Sequence, residues 1–349
     1  MTLKEVEGPA GPPWERELDG TFETLVVESD LLADNHLGDP NRRPLYVYLP
    51  PGHGEGTRRY PTLYVIQGYT GQLDGWLARS PFEPTMVERL DDLFGGVGGR
   101  RAIVVFVDAW TSLGGSQFLN SPGTGRYMDY LCDEVVPFID ERYGTIADRD
   151  HRALSGKSSG GYGAMVVSMK RPDVFGAFAT HAGDALFEAC YLPEFRQVAR
   201  LMRDHFDGSL DTFFKAFENR ERFEFETHGV ILEHYALAAS YSADVDGTPL
   251  LPFELETGKV IPEIWARWLA WDPVVMAPDH LDALKSMRHI YIDAGRSDEF
   301  YLDLGARAFS RELTKGGVEH SFELFDGGHM GIQYRYPQAL RSLAEALTP

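Results

Sequence analysis

Residues 154–165 read LSGKSSGGYGAM, and this stretch constrains the fold more tightly than any other. Before it comes HRAL, a short strand-like run. After it comes GAMVVSMKRP, apolar enough for a buried helix. An ordinary strand-to-helix connection needs one glycine, yet this one carries Ser158, Ser159, Gly160, Gly161 and Gly163. Gly156-Lys157-Ser158-Ser159-Gly160 fits G-x-S-x-G, in which a serine stands on a sharp, strained turn and the glycines let strand and helix approach closely. Glycine-rich loops also produce this pattern by chance, so its meaning depends on the rest of the chain.

The rest of the chain alternates between strand and helix. TFETLVVES and RPLYVYLP read as an antiparallel pair, while PTLYVIQ and RAIVVFVDA are nearly continuous apolar runs rich in Val and Ile. Such runs suit strands buried on both faces of a parallel sheet. PFEPTMVERLDDLF has helical spacing, and 125–143 repeats apolar residues at Tyr127, Leu131, Val135, Phe138 and Ile139. The nucleophile-like turn is followed by the strand FGAFATHAG. RHIYIDAG, LDLGARAFSRELTKGG, HSFELFDGG and PQALRSLAEAL then complete a strand–helix–strand–helix ending. This order implies a doubly wound, mostly parallel α/β sheet.

Two segments fall outside that rhythm. Residues 1–20, rich in Pro, Gly and Glu, read as a loose arm ahead of an α/β core formed by 21–184 and 286–349. Residues 185–285 lack clear β-runs and hold fifteen aromatic residues, Phe213, Phe214, Phe217, Trp265, Trp268 and Trp271 among them. They read as a mainly helical insertion, which is either a cap over a site or extra packing on the core. The formal net charge of −20 repels phosphate backbones and argues against a nucleic-acid partner. The two cysteines, Cys132 and Cys190, make no C-x-x-C pair or disulfide framework. The N-terminal residues show no signal-peptide pattern, and no apolar run approaches the roughly 18 residues of a membrane span. The expectation is a cytoplasmic protein without a membrane partner. Its oligomeric state is left open.

A serine hydroxyl becomes a nucleophile only with a general base in reach and a third group to orient that base. In doubly wound hydrolases these follow in the order Ser, acid, His, each on a loop after a strand. Among eleven histidines, only His329, in LFDGGHMG, combines a strand end, a glycine turn and the last-strand position. The preceding strand ends YIDAGRSDEFY, which offers Asp293, Asp298 and Glu299. Asp293 lies within the strand's last turn and reads as structural. Asp298 is favoured by its loop position, with Glu299 next. A developing oxyanion needs N–H donors. The backbone of Ser159 supplies one, and the loop Gly68-Tyr69-Thr70-Gly71 the other, with Tyr69 the best-placed residue. That loop is equally a plain strand-to-helix turn. Trp76 in the loop QLDGW, Trp110 at the end of VVFVDAW and His181 at a strand end are candidate pocket walls.

Five stretches together resemble one known family: RPLYVYLPPGHGEGTRRYPTLYVIQGYTG, GGSQFLNSPGTGRYMDYLCDEVVPFIDERYG, ALSGKSSGGYGAM, IDAGRSDEFYL and FDGGHMG. The family is that of the esterase D-type α/β-hydrolases. It includes S-formylglutathione hydrolases, feruloyl and acetyl xylan esterases, enterochelin esterases and mycobacterial mycolyltransferases. The likeness covers about 20–184 and 285–349 and leaves out the insertion. It implies an α/β-hydrolase fold, a triad of Ser158, Asp298 and His329, N–H donors from Tyr69 and Ser159, and neither cofactor nor metal. It further implies a small-molecule ester substrate, for which the aromatic residues suggest an apolar or aromatic part. Hydrolysis is the leading reaction. Acyl transfer to an alcohol or sugar uses the same first half-reaction, and a non-catalytic binder of the same fold is the remaining alternative.

Overall fold

A computed structural model describes residues 16–96 and 100–348. Its centre is an eight-stranded sheet: β1 (Thr21–Glu28), β2 (Arg42–Leu49), β3 (Thr62–Ile66), β4 (Ile103–Val107), β5 (Arg152–Lys157), β6 (Ala177–His181), β7 (His289–Gly295) and β8 (Ser321–Phe325). The spatial order is β1-β2-β4-β3-β5-β6-β7-β8. β1 pairs antiparallel with β2, and β2 antiparallel with β4. Every other neighbouring pair is parallel. The doubly wound, mostly parallel sheet expected from the alternation is present, with an antiparallel edge.

Period-two alternation divides the core into two layers. β3 is buried throughout, yet Tyr64 and Ile66 join one apolar cluster while Leu63 and Val65 join the other. The second cluster is closed by α1 (Met86–Phe94), through Met86, Leu90 and Phe94, and by the C-terminal helix, through Tyr336, Leu340 and Leu343. Thr85 starts α1 with a capping box: its hydroxyl accepts from the Glu88 N–H at 3.2 Å, and its own N–H donates to the Glu88 carboxylate at 2.6 Å.

The helix expected over 125–143 is present but not uniform. An α-turn at Tyr127–Asp129 widens to a π-turn at Tyr130–Val135 before α2 (Val136–Arg142). Pro137 explains the change, because it lacks an N–H and its ring clashes with the carbonyl four residues back. Of the N-terminal arm, only 16–20 lie among the described residues. There Arg16 pairs with Asp92 of α1 at 2.6 Å, and the Asp19 N–H donates to Asp91 at 3.0 Å.

The segment between β6 and β7 is helical, as expected. After α3 (Ser159–Lys170), which follows β5, it contributes α4 (Phe195–Phe206), α5 (Leu210–Glu218), α6 (Val230–Tyr241) and α7 (Pro262–Leu269). Its aromatics stack mainly on one another and on the core. Phe195 stacks on Phe253 at 4.6 Å, Tyr241 meets Trp268 at 5.2 Å, and Tyr241 meets Tyr162 of α3 at 5.6 Å. Through Tyr162 the insertion's cluster is continuous with the sheet's. Trp268 is completely buried, and its indole N–H donates to Ser242 at 2.8 Å. Replacing Trp268 by Ala should therefore cost about 3–5 kcal/mol in chemical denaturation, whereas Val245→Ala, at an exposed site, should stay within about 0.5 kcal/mol. Equal losses would show that this cluster does not support the fold. The chain closes with α8 (Leu302–Gly316) and α9 (Tyr336–Leu347) on either side of β8. No helix among the described residues is long and apolar enough to cross a membrane.

Candidate active site

Ser158 stands between β5 and α3 with φ 57° and ψ −128°, a conformation that L-residues seldom adopt. Two bonds fix it there: its N–H donates to the His181 carbonyl at 3.0 Å, and its carbonyl accepts from the Tyr162 N–H at 2.8 Å. The glycines are required by space. A Cβ on Gly160 would lie 2.6 Å from the Ile66 carbonyl oxygen of β3, and one on Gly156 would collide with the Gly160 backbone. Strand and helix can meet this closely only if both positions lack side chains.

The loop after β3 runs beside this turn. A Cβ on Gly68 would sit 3.2 Å from the Ser158 Cβ and 3.9 Å from its Oγ. Tyr69 pins the loop: its hydroxyl donates to the Leu113 carbonyl at 2.8 Å, and its carbonyl accepts from the Gly115 N–H at 2.9 Å. The Tyr69 ring packs on Gly114, where a side chain would collide with it. The Tyr69 N–H has no acceptor among the described residues. Ser159 opens α3, so its N–H belongs to the first helical turn, which has no intrahelical partner and lies at the positive end of the helix dipole.

The loops after β7 and β8 are laced together. The Arg296 N–H donates to the Phe325 carbonyl at 2.9 Å and the Ser297 N–H to the Gly327 carbonyl at 3.0 Å. This brings Asp298 to His329, with Asp298 Oδ2 at 2.9 Å from His329 Nδ1. The other carboxylate oxygen, Oδ1, accepts from the Phe300 N–H at 3.0 Å and the Leu302 N–H at 3.3 Å. Both side chains are buried, and Phe300 packs edge-on against the His329 ring at 4.9 Å. The three candidate acids separate by what they hold. Asp298 meets the imidazole. Glu299 accepts the His329 backbone N–H at 2.6 Å, which holds its carboxyl below the usual range. Asp293 serves a different histidine. No hydrogen bond joins Ser158 Oγ to His329 among the described residues, and such contacts are often loose before substrate binds.

Two of the three candidate pocket walls are elsewhere. His181 is completely buried under the Ser158 turn, its Nδ1 2.7 Å from Asp293 and its ring 4.5 Å from Tyr336. Trp76 packs on Phe106 at 5.4 Å and on Tyr336 at 5.3 Å, as part of the cluster on the α1–α9 face. The His181 ring, with no exposed surface, cannot line a pocket. Trp110 does reach the site, lining a narrow cavity with Gly68, Gly115, Gln117 and Ser159. Gln117 is buried in that cavity with both amide atoms unpartnered among the described residues.

Sequence reading missed Asp184, three residues past the end of β6. It is buried and accepts from the Ser159 hydroxyl at 3.1 Å and the Tyr191 hydroxyl at 2.7 Å. Burial raises its carboxyl above the ordinary range, although these two bonds and the nearby His329 pull the other way. The only sequence signal was its place at a strand's C-terminal edge, where ligands of open α/β sheets bind. Burial also lowers the Lys157 ammonium from its usual value. No cluster of metal-ligating side chains occurs among the described residues.

A model of the putative esterase family matches residues 39–337. The chain belongs to the putative esterase family. Curated relatives within reach include esterase Rv1288 of Mycobacterium tuberculosis, 28% identical over 300 residues, covering 81% of this chain and 52% of that protein. The endo-1,4-β-xylanase/feruloyl esterase of Xylanibacter ruminicola is 28% identical over 152 residues, covering 42% of this chain and 20% of that protein. The chain thus spans about half, or less, of these relatives' length. Among solved structures, a ferulic acid esterase superposes with a TM-score of 0.58 at 18% identity, covering 95% of this chain and 100% of its own. An S-formylglutathione hydrolase from Agrobacterium tumefaciens gives 0.56 at 17% identity, covering 96% and 98%. These likenesses establish the α/β-hydrolase-type fold of this putative esterase.

Proposed function

We propose that this member of the putative esterase family hydrolyses carboxylic esters of small molecules through a Ser158–His329–Asp298 triad. The Asp298–His329 bond carries the reading. Because the carboxylate can only accept, Nδ1 bears the proton and Nε2 is left as the base. His329 takes the Ser158 proton as Oγ attacks the ester carbonyl. The N–H groups of Tyr69 and Ser159 stabilise the oxyanion, and the helix dipole at Ser159 adds to that field. The tetrahedral intermediate expels the alcohol, which receives its proton from His329, and leaves an acyl-Ser158 ester. Water, deprotonated by His329, attacks this ester, and collapse frees the acid and returns the proton to Ser158.

A fluorophosphonate tests the assignment. Intact mass should rise by one phosphonyl group, the adduct should map to the peptide carrying Ser158, and Ser158→Ala should not be labelled. An adduct that persists in Ser158→Ala, on Ser159 for instance, overturns the proposal.

A further inference from the structure

Gly160 and Gly161 carry no side chain, so between Ser158 and Tyr162 only the side chain of Ser159 can tie the first turn of α3 to another element. Its hydroxyl donates to Asp184 Oδ2 at 3.1 Å, on the segment that follows β6. That segment is pressed against the turn. A Cβ on Gly161 would lie 2.8 Å from the Gly183 Cα, and one on Gly183 would lie 2.7 Å from the Gly161 carbonyl carbon. Two glycines thus bring Asp184 within reach of Ser159. The same Oδ2 accepts from the Tyr191 hydroxyl at 2.7 Å. Tyr191 belongs to the insertion's aromatic cluster, with its ring 4.7 Å from that of Phe187 and 5.8 Å from that of Trp268. Ser159, Asp184 and Tyr191 are all buried. Asp184 makes no hydrogen bond to Ser158 or His329 among the described residues, so its carboxyl reaches the chemistry through Ser159.

We propose that Asp184 is a positioning residue for oxyanion stabilisation: it holds Ser159 so that the backbone N–H stays aimed at the developing oxyanion, and Tyr191 braces it from the insertion. The assignment rests on the esterase reading above. A preorganised donor acts only at hydrogen-bond distance from the place the oxyanion reaches, so small displacements of the turn are costly. Ser158, next in the chain, sits at φ 57°, a strained conformation that persists only where its surroundings over-determine it. The Tyr191–Asp184–Ser159 chain is one such constraint. It gives the insertion a part in the reaction without requiring it to roof the pocket. The role needs an acceptor and not a charge. A negative charge here would oppose the oxyanion, and burial favours the neutral acid by raising this carboxyl above its ordinary range. Because both donors meet one oxygen, an amide oxygen can take its place.

The test measures kcat and KM on p-nitrophenyl acetate. Ser159→Ala keeps the N–H and removes only the tether. Ser159→Ala and Asp184→Ala should each lose about 10–100-fold in kcat with KM within about twofold, less than the loss of about 10²–10³ typical when an oxyanion donor is removed outright. The Ser159→Ala/Asp184→Ala variant should be no slower than the slower single variant, because both substitutions break the same bond. Asp184→Asn should recover most of what Asp184→Ala loses. Tyr191→Phe should lose about threefold or more in kcat. The proposal is overturned by losses that multiply in the double variant, by Asp184→Asn as slow as Asp184→Ala, by losses that fall on KM, or by an unchanged kcat in Ser159→Ala or Tyr191→Phe. If Asp184→Ala does not fold, Ser159→Ala decides: a lower kcat at unchanged KM supports the proposal, and Asp184→Asn as slow as Ser159→Ala overturns it. If the wild type hydrolyses no ester, the esterase reading has failed instead. Hydrogen exchange of the amides of 159–162 then decides the tether: exchange about tenfold faster in Ser159→Ala supports it, and unchanged exchange overturns it.

Discussion

Asp298→Asn is expected to lower kcat on a small acetyl ester by about 10³–10⁴, with KM little changed. The amide keeps the size of the carboxylate but can donate to Nδ1. The imidazole then carries its proton on Nε2, the wrong nitrogen for a base facing Ser158. The backbone bonds from Phe300 and Leu302 go to the other oxygen and keep the loop in place, so stability should fall far less than activity. Glu299→Gln is the matched control. Its carboxylate holds the His329 backbone N–H at 2.6 Å and does not touch the ring, and the amide oxygen can still accept that bond. Its kcat should fall by no more than about tenfold. Two variants with equal losses would mean that Asp298 is not the orienting acid.

The parts that were legible in the sequence are those whose chemistry is local. A glycine turn between an apolar strand and an apolar helix announces its own geometry, and the Gly156–Gly160 contact is a property of five consecutive residues. The loops of Asp298 and His329 were found because each directly follows a recognisable strand. Asp298 was favoured over Glu299 for the ring by its loop position, but the bond of Glu299 to the His329 backbone N–H was beyond sequence reading, since it depends on how two loops lie against each other. His181 was misjudged for a reason the sequence did contain. Ala177 and Ala179 of β6 face the α1–α9 side, and residue 181 shares their parity, so its ring turns under the sheet edge and not into the cleft. Trp76 belongs to a loop whose aromatic side folds back on Phe106 and Tyr336 of that same face. Asp184 lies beyond β6 and meets Ser159 of α3 and Tyr191 of the insertion, and no spacing rule links these three before the chain is folded.

Asp293→Ala should destabilise the fold by about 3–5 kcal/mol, the cost of leaving buried charges without their partner. Asp293 is completely buried and joins three elements: His181 Nδ1 of β6 at 2.7 Å, the Arg335 guanidinium ahead of α9 at 2.9 Å, and the Tyr291 hydroxyl at 3.1 Å. Its backbone carbonyl also accepts the Ala182 N–H at 2.7 Å, next to the His181 carbonyl that holds Ser158. Burial alone would raise the Asp293 carboxyl, but His181 and Arg335 outweigh it and hold the group below its usual value. The sign of the pH effect follows. A carboxyl depressed in the folded state contributes stability that is fully present above its unfolded pKa of about 3.9 and is lost as pH falls through the folded value. The wild type should therefore lose stability below about pH 4 more steeply than Asp293→Ala, and the two should converge in strong acid. Glu323 also pairs with Arg335, at 2.5 Å, but its side chain is 45% exposed. Water screens that pair, so Glu323→Gln should cost no more than about 1 kcal/mol. Denaturant titrations of the three proteins at neutral and acid pH provide the measurement. A cost for Asp293→Ala as small as that for Glu323→Gln, or one that does not change with pH, would mean that the buried His181–Asp293–Arg335 network does not brace the floor of the Ser158 turn.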